Sequence, residues 1–131
     1  MSLLGMLLFV NVGIPAPVLA DFDRDGLNDV ALVASEGRSA YKLIVVRAAN
    51  PDHPAISYRM RRARGFHMSN AHPGTYSTNC GKYFRRHCRY RTVTLTRKDM
   101  VFGDQGGFRA AVIWAHRRFE VVWLSDKPAE P

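Results

Sequence analysis

Short apolar runs separated by turn residues constrain the fold of this chain more than any other feature. Helical periodicity is scarce, and apolar side chains instead alternate or run continuously over short stretches, as in β-strands. In the run 92–96, alternation places Val93 and Leu95 on one sheet face. The five runs are 30–34, 42–48, 92–96, 109–115 and 119–124. They predict a mainly β fold, a small antiparallel sheet or sandwich-like domain with long loops.

Turn-forming residues mark the connections between these runs. Each of the segments 35–39, 49–54, 72–74 and 103–107 contains glycine, proline, serine, asparagine or aspartate. The last two runs flank residues 115–118 and predict a hairpin. We expect its aromatic residues Trp114, Phe119 and Trp123 to pack in one cluster.

The length of 131 residues suits one domain, and 47% hydrophobic residues are enough for a packed core. We place a single β domain at 15–126 and a tail at 127–131. Residues 1–20 are predicted to be a signal peptide or an N-terminal strand. They carry no charged side chain, and the apolar run 3–10 is too short to span a membrane.

Export follows from the signal-peptide interpretation, and it predicts a periplasmic or secreted protein with no transmembrane span in its mature form. The segment Val18-Leu19-Ala20 resembles a cleavage site, although the usual basic residue before the apolar run is missing. A buried strand or a misplaced start codon are the alternatives. Cys80 and Cys88 are consistent with export, since they can close a short disulfide loop. The alternative is two free thiols.

An acidic segment follows directly. Aspartates stand at positions 1, 3, 5 and 9 of a nine-residue stretch, with a glycine at position 6. Alternate carboxylates can converge on one hard cation while the glycine permits a sharp turn. An EF-hand would need glutamate at position 12, which is Leu32. A solvated acidic turn with local hydrogen bonds is the alternative to a metal loop.

The stretch from Ala16 to Leu32, containing D-F-D-R-D-G-L-N-D, resembles the FG-GAP/VCBS type of repeat, in which a D-x-D-x-D-G-x-x-D loop joins two strands and binds calcium. The resemblance covers about 17 residues in a single copy, as in small exported bacterial proteins that are largely uncharacterised, and one copy cannot form a propeller. It implies a strand before the loop, which conflicts with cleavage after Ala20. The implied ligands are the side chains of Asp21, Asp23, Asp25 and Asp29 and the carbonyl of Leu27.

Calcium is the expected ion at this loop. Four carboxylates repel one another, and Arg24 is expected to neutralise only one of them. A divalent ion relieves the repulsion and stabilises the fold by mass action. An affinity on the order of 0.1–1 mM, typical of extracellular modules, would make the ion structural.

Positive charge dominates the rest of the chain. The net charge is +8, and residues 21–29 hold four of the 11 acids but one of the 19 bases, which leaves 18 basic against 7 acidic residues elsewhere. Such a chain attracts acidic partners. Two arginine clusters are interleaved with aromatic residues and are predicted to bind an acidic protein or an anionic envelope component. Their arginines are Arg59, Arg61, Arg62, Arg64, Arg85, Arg86, Arg89 and Arg91.

No recognisable catalytic motif is present, and the expected function is binding without catalysis, as in an envelope inhibitor or immunity-type protein. A nucleic-acid-binding protein is one alternative, since arginine and aromatic residues also bind phosphates and bases. An envelope glycan hydrolase is another, in which Asp99, Asp104 and Glu120 could supply a carboxylate pair. A solvated basic face without a specific partner also stays open.

Overall fold

The computed structural model describes residues 14–79, 89–104 and 106–128, and these residues form strands and loops without a helix. In the described part of the chain, therefore, no helix is long and apolar enough to cross a membrane. The ten strands are β1 (Val18–Ala20), β2 (Asp29–Ser35), β3 (Tyr41–Arg47), β4 (Asn50–Met60), β5 (His67–Asn70), β6 (Gly74–Thr78), β7 (Thr92–Leu95), β8 (Met100–Gly103), β9 (Arg109–Ala115) and β10 (Arg118–Pro128).

The strands make two sheets in which every pair is antiparallel. The first sheet has the order β1-β2-β3-β4, and the second has the order β5-β8-β9-β10-β6-β7. The predicted mainly β, antiparallel fold is confirmed. The last strand extends to Pro128, beyond the start of the predicted tail.

Both sheets contribute to one core. Val33 and Val45 of the first sheet belong to the same apolar cluster as Met100 and Val112 of the second. Phe102, only 1% exposed, is central to this cluster. Its ring lies 5.1 to 6.4 Å, between centroids, from four others: Tyr58, Phe66, Phe108 and Trp123. Face-to-face packing of this kind is that of a β-sandwich.

A second apolar cluster covers the other side of the larger sheet. Ala111 and Val122 are buried there, and they alternate along β9 and β10 with residues that face the first cluster. Val93 and Leu95 of β7 belong to this second cluster, so the predicted shared face of that strand is correct. The larger sheet is therefore buried on both faces, which explains the continuous apolar sequence of β9.

All five predicted runs are strands, but β4, β5, β6 and β8 were not predicted. The largest error lies at 49–54, which were expected to form a turn and instead belong mostly to β4. Pro51 and Pro54 suggested a turn, yet β4 is an edge strand with register shifts, where missing N–H donors are tolerated. The remaining connections at 35–39, 72–74 and 103–107 lie mainly between strands as expected.

The predicted hairpin of β9 and β10 is present. Ala115 pairs with Arg118 across a turn made by two residues with positive φ, His116 at 55° and Arg117 at 62°. Trp114 and Phe119 are cross-strand partners whose ring centroids lie 4.8 Å apart. Trp123 does not join this pair, because it packs against Phe102, Phe108 and Tyr58 in the core. The expectation of one cluster was wrong in that respect.

Candidate metal centre

The acidic segment forms the connection between β1 and β2. Ala20 pairs with Asp29, so the two ends of the segment lie side by side at the base of a closed loop. Arg24 and Gly26 have φ values of 63° and 91°, and these left-handed residues turn the chain back on itself. A strand, a loop and an antiparallel strand follow one another here.

The four aspartates converge within this loop. Asp21, Asp23, Asp25 and Asp29 each offer a carboxylate oxygen, and these oxygens lie within 4.8 Å of one another. Asp21, Asp23 and Asp29 are buried, whereas Asp25 is exposed. Carboxylate oxygens are the ligands that hard cations prefer. The group can therefore hold a metal ion.

Backbone hydrogen bonds position these carboxylates. The Asp21 carboxylate accepts the N–H groups of Asp25 at 3.0 Å and Gly26 at 2.9 Å. The Asp29 carboxylate accepts that of Asp23 at 3.2 Å and that of Ala48, beyond the end of β3, at 2.9 Å. The carboxylates of Asp21 and Asp29 thus accept hydrogen bonds from backbone N–H groups on other parts of the loop. These hydrogen bonds hold Asp23 and Asp25 close to them.

Asp25 has a lighter structural role. Its carboxylate accepts one hydrogen bond, from the Leu27 N–H at 2.9 Å, within the same turn. Leu27, whose carbonyl is the implied backbone ligand, has a side chain that is 52% exposed. Substitution of Asp25 therefore changes the charge of the cluster with the least disturbance of the fold.

Two cations reach the cluster from outside the loop. Arg47 Nε lies 2.7 Å from Asp23 Oδ2, and Lys98 Nζ lies 3.6 Å from Asp21 Oδ2. Arg24 does not neutralise the cluster as expected. Its guanidinium forms an ion pair with Asp99 at 2.8 Å and donates to the carbonyl of Lys98 at 3.1 Å. That arginine instead links the loop to the turn between β7 and β8.

Burial, hydrogen bonds and neighbouring charges shift the pKa values of Asp23, Asp25 and Asp29 in different directions. Burial favours neutral Asp23, but the hydrogen bond from Arg47 and those of the loop hold its pKa below the usual range. Burial raises the pKa of Asp29, and the nearby Asp23 charge adds to this against the hydrogen bond from Ala48. At Asp25 a backbone hydrogen bond lowers the pKa, but partial desolvation and the neighbouring carboxylates raise it overall.

Sequence reasoning missed both external cations. Arg47 ends β3, and Lys98 belongs to the β7–β8 turn, far from the loop along the chain. The Arg47 guanidinium also lies 4.8 Å from the centre of the Trp114 ring. Contacts of this kind depend on how the sheets pack, and no local pattern signals them.

The predicted partner-binding arginines separate into two places. Arg59 is near the end of β4, with Arg61, Arg62 and Arg64 just after it, and Arg59 forms an ion pair with Glu36 at 3.2 Å. Arg89 and Arg91 precede β7 at the edge of the larger sheet. The remaining members, Arg85 and Arg86, lie outside the described residues, as do Cys80 and Cys88 with their predicted disulfide.

Arg89 belongs to a polar group around Glu120. The Glu120 carboxylate accepts hydrogen bonds from Arg89 at 2.6 Å, from Tyr90 Oη at 3.1 Å and from Arg118 at 3.4 Å. These residues line a cleft of about 580 Å³ together with Phe119 and Trp123. Because Arg89 already binds a carboxylate, its substitution would disturb the protein itself.

The acids considered for glycan cleavage have structural contacts of their own. Asp99 is buried against Arg24 and accepts the Thr96 N–H at 2.8 Å, and Asp104 accepts the Gly106 N–H at 2.8 Å. The two stand at opposite ends of β8, roughly 15 Å apart along the strand.

Comparison of the chain with family models, with curated proteins and with solved structures finds no match.

Proposed function

We propose that this chain is an exported β-sandwich protein in which residues 21–29 bind one structural calcium ion and which functions by binding an acidic partner. The convergence of four carboxylates within 4.8 Å, in a loop between two paired strands, is the observation that carries the proposal. The FG-GAP/VCBS resemblance points to the same ion and to the same four side chains. Export is inferred from the sequence of the first 20 residues.

The chemistry of the cluster favours calcium over other ions. All four side chains are carboxylates, without histidine or cysteine, and so they suit a hard cation rather than zinc. Magnesium demands near-ideal octahedral geometry and keeps several waters, whereas calcium accepts irregular sets of protein oxygens. A short loop with three buried carboxylates offers an irregular set of protein oxygens, and it therefore suits calcium better than magnesium.

The ion would stabilise the junction of several elements. The loop joins β1 to β2. The Asp29 carboxylate accepts a hydrogen bond from Ala48, the residue after β3, and Arg24 donates a hydrogen bond to the β7–β8 turn. Two positive side chains face four carboxylates, so the cluster keeps excess negative charge. Calcium at ten times its dissociation constant would add about 1.4 kcal/mol to the free energy of unfolding.

Calcium titration tests this part of the proposal. We expect calcium to raise the unfolding temperature of the wild-type protein and calorimetry to give one site. Asp25→Asn should weaken binding about tenfold or more, because it removes one ligand charge at little structural cost. Asp52→Asn is the matched control, since Asp52 is an exposed acid on edge strand β4. A wild-type protein unaffected by calcium would refute the proposed site.

The proposed acidic partner is tested through the arginines that follow β4. Arg61, Arg62 and Arg64 are exposed, and none forms an ion pair within the described part of the chain. We expect substitution of all three by alanine to abolish capture of a protein that the wild type retains from envelope extract. Arg97→Ala serves as the control for loss of exposed charge. Equal capture of the same protein by the triple variant would contradict the proposed surface.

A further inference from the structure

A pocket of about 610 Å³ lies beside the start of β3, away from the acidic loop. Its wall combines the turn between β2 and β3 with the segment that follows β4. The residues that line it are Arg38, Ser39, Tyr41, Arg61, Arg62, Ala63 and Arg64. Four of these seven residues are arginines, and no acidic residue is among them.

The strand register explains why these arginines meet. β3 and β4 are antiparallel, and Tyr41, the first residue of β3, pairs with Met60, the last residue of β4. The residues just before β3 therefore lie next to those just after β4. Arg38 is contributed by the first segment and is absent from every predicted arginine cluster.

The segment after β4 is anchored to the core. Ala63 is 5% exposed and packs in the main apolar cluster, and its carbonyl accepts the Phe66 N–H at 3.0 Å. Gly65, with φ of 80°, allows the chain to turn there. Arg62 and Arg64 thus flank a buried residue, so their backbone positions are fixed by packing.

The positive charge in this pocket has no protein counterpart. Within the described residues, none of the four guanidinium groups forms an ion pair or a hydrogen bond, and the nearby Glu36 binds Arg59 instead. By contrast, Arg24, Arg47 and Arg89 each bind a carboxylate. Like charges gathered in a concave site repel one another, and a bound anion removes that repulsion.

We propose that this pocket binds a phosphorylated small molecule. Guanidinium groups bind phosphoryl oxygens in bidentate geometry, and several of them match a dianion better than a single carboxylate. The volume is within the range of small-molecule sites and exceeds that of a phosphate ion alone. The half-buried Tyr41 offers apolar contact to the organic part. The inference deepens the proposed binding function, because three of its arginines belong to the surface assigned to an acidic partner.

Binding of AMP, adenosine and inorganic phosphate to the full chain tests the proposal, by calorimetry in calcium-containing buffer. We expect AMP to bind and adenosine to fail. Arg38→Gln and Arg62→Gln should each weaken AMP binding about tenfold, the loss expected for one charge-assisted contact. Arg97→Gln, an exposed arginine outside the pocket, should leave binding unchanged. The phosphate arm shows whether the free anion suffices or the ester is needed, and either result supports a phosphoryl site.

Equal binding of AMP and adenosine, no binding of AMP or phosphate, or equal losses in Arg38→Gln and Arg97→Gln would overturn this inference. Circular dichroism of each variant verifies that the fold is intact. Arg38→Gln separates this inference from the proposed function. It should weaken AMP binding, whereas capture of the acidic protein is proposed to depend on Arg61, Arg62 and Arg64. A wild-type protein that binds calcium and captures the acidic protein but binds neither AMP nor phosphate would overturn the pocket alone.

Discussion

Arg47 donates a hydrogen bond from Nε to Asp23 Oδ2 over 2.7 Å, and it thereby connects β3 to the acidic loop. The Asp23 side chain is fully buried and the Arg47 side chain is 30% exposed. The same guanidinium lies over Trp114 of β9, so one arginine contacts the loop and both sheets. Arg47 therefore binds the carboxylate of Asp23, which is also a proposed calcium ligand.

We predict that Arg47→Gln destabilises the calcium-free protein more than the calcium-bound protein. Without calcium, it should lower the free energy of unfolding by about 1–3 kcal/mol, because buried Asp23 loses its charged donor. With calcium bound, this loss of unfolding free energy should be smaller, because the ion neutralises Asp23. In the variant, the ion also no longer competes with the Arg47 guanidinium for that carboxylate. Denaturant unfolding at several calcium concentrations measures both effects.

A matched comparison is available in the second external cation. Lys98→Gln removes the same charge, but Lys98 lies 3.6 Å from Asp21 and is 56% exposed, so its effect should be smaller. An Arg47→Gln variant that is equally destabilised at all calcium concentrations would show that Arg47 and calcium do not share Asp23.

The N-terminus provides a second prediction. Val18 is 7% exposed in the core, and Val18–Ala20 pairs with β2. A chain that begins at Asp21 should lose about 1.5–3 kcal/mol for the buried Val18 side chain alone, and it should bind calcium more weakly because the loop loses its first strand. A chain that begins at Ile14 keeps β1 and is the control.

Mass spectrometry of protein recovered from cells addresses the same point. We expect the mature N-terminus, if processing occurs, to lie before Val18, because β1 belongs to the sandwich. Recovery of a stable, calcium-binding protein that starts at Asp21 would contradict this prediction and support cleavage after Ala20.

The relation between sequence and structure differs along the chain. Runs such as 109–115 were predicted because burial on both sheet faces leaves a continuous apolar sequence. β4 was missed because an edge strand with one partner can contain Pro51 and Pro54. β5 and β8 are four residues each, too short for alternation to stand out against a loop.

In the candidate site, too, some residues were predicted from the sequence and others were not. The spacing of Asp21, Asp23, Asp25 and Asp29 predicted their convergence, since all four lie in one short loop. The partners Arg47 and Lys98 and the pocket residue Arg38 come from other elements, so their roles depend on strand order and register. A charge count could not separate Arg89, which binds Glu120, from Arg61, which has no such partner among the described residues.

The pH dependence of Tyr90 is a third prediction. Burial, together with the hydrogen bond to Glu120 and the charge of that residue, raises the pKa of the Tyr90 phenol, while Arg89 and Arg118 act in the opposite direction. A raised pKa means that the folded state favours the neutral phenol. The preference for the neutral phenol stabilises the folded state below the pKa of about 10 that tyrosine has in the unfolded chain. This stabilisation is lost as the pH rises through the pKa of Tyr90 in the folded protein.

The difference in phenolate absorbance between the wild type and Tyr90→Phe isolates this titration. We expect the difference to develop above pH ~10 and to shift toward lower pH in Glu120→Gln, because the acceptor charge is gone. Ionisation of Tyr90 at or below the ordinary tyrosine value would contradict the contact with Glu120.

The turn of the β9–β10 hairpin gives the fourth prediction. His116 and Arg117 have φ values of 55° and 62°, where ordinary side chains cost roughly 1 kcal/mol each. Two-residue hairpins with positive φ at both positions favour Asn-Gly. We expect the double substitution His116→Asn and Arg117→Gly to raise the free energy of unfolding by about 1–2 kcal/mol, as measured by denaturant titration.

The control for this substitution is Arg97→Gly, at an exposed position whose φ is not positive. Glycine there relieves no backbone strain and adds conformational freedom to the unfolded chain, so the protein should become slightly less stable. Because neither His116 nor Arg117 forms an ion pair with the described acidic residues, calcium affinity should not change in the double variant. A destabilised double variant would mean that His116 and Arg117 make contacts that outweigh the strain, contrary to the exposed positions of both side chains.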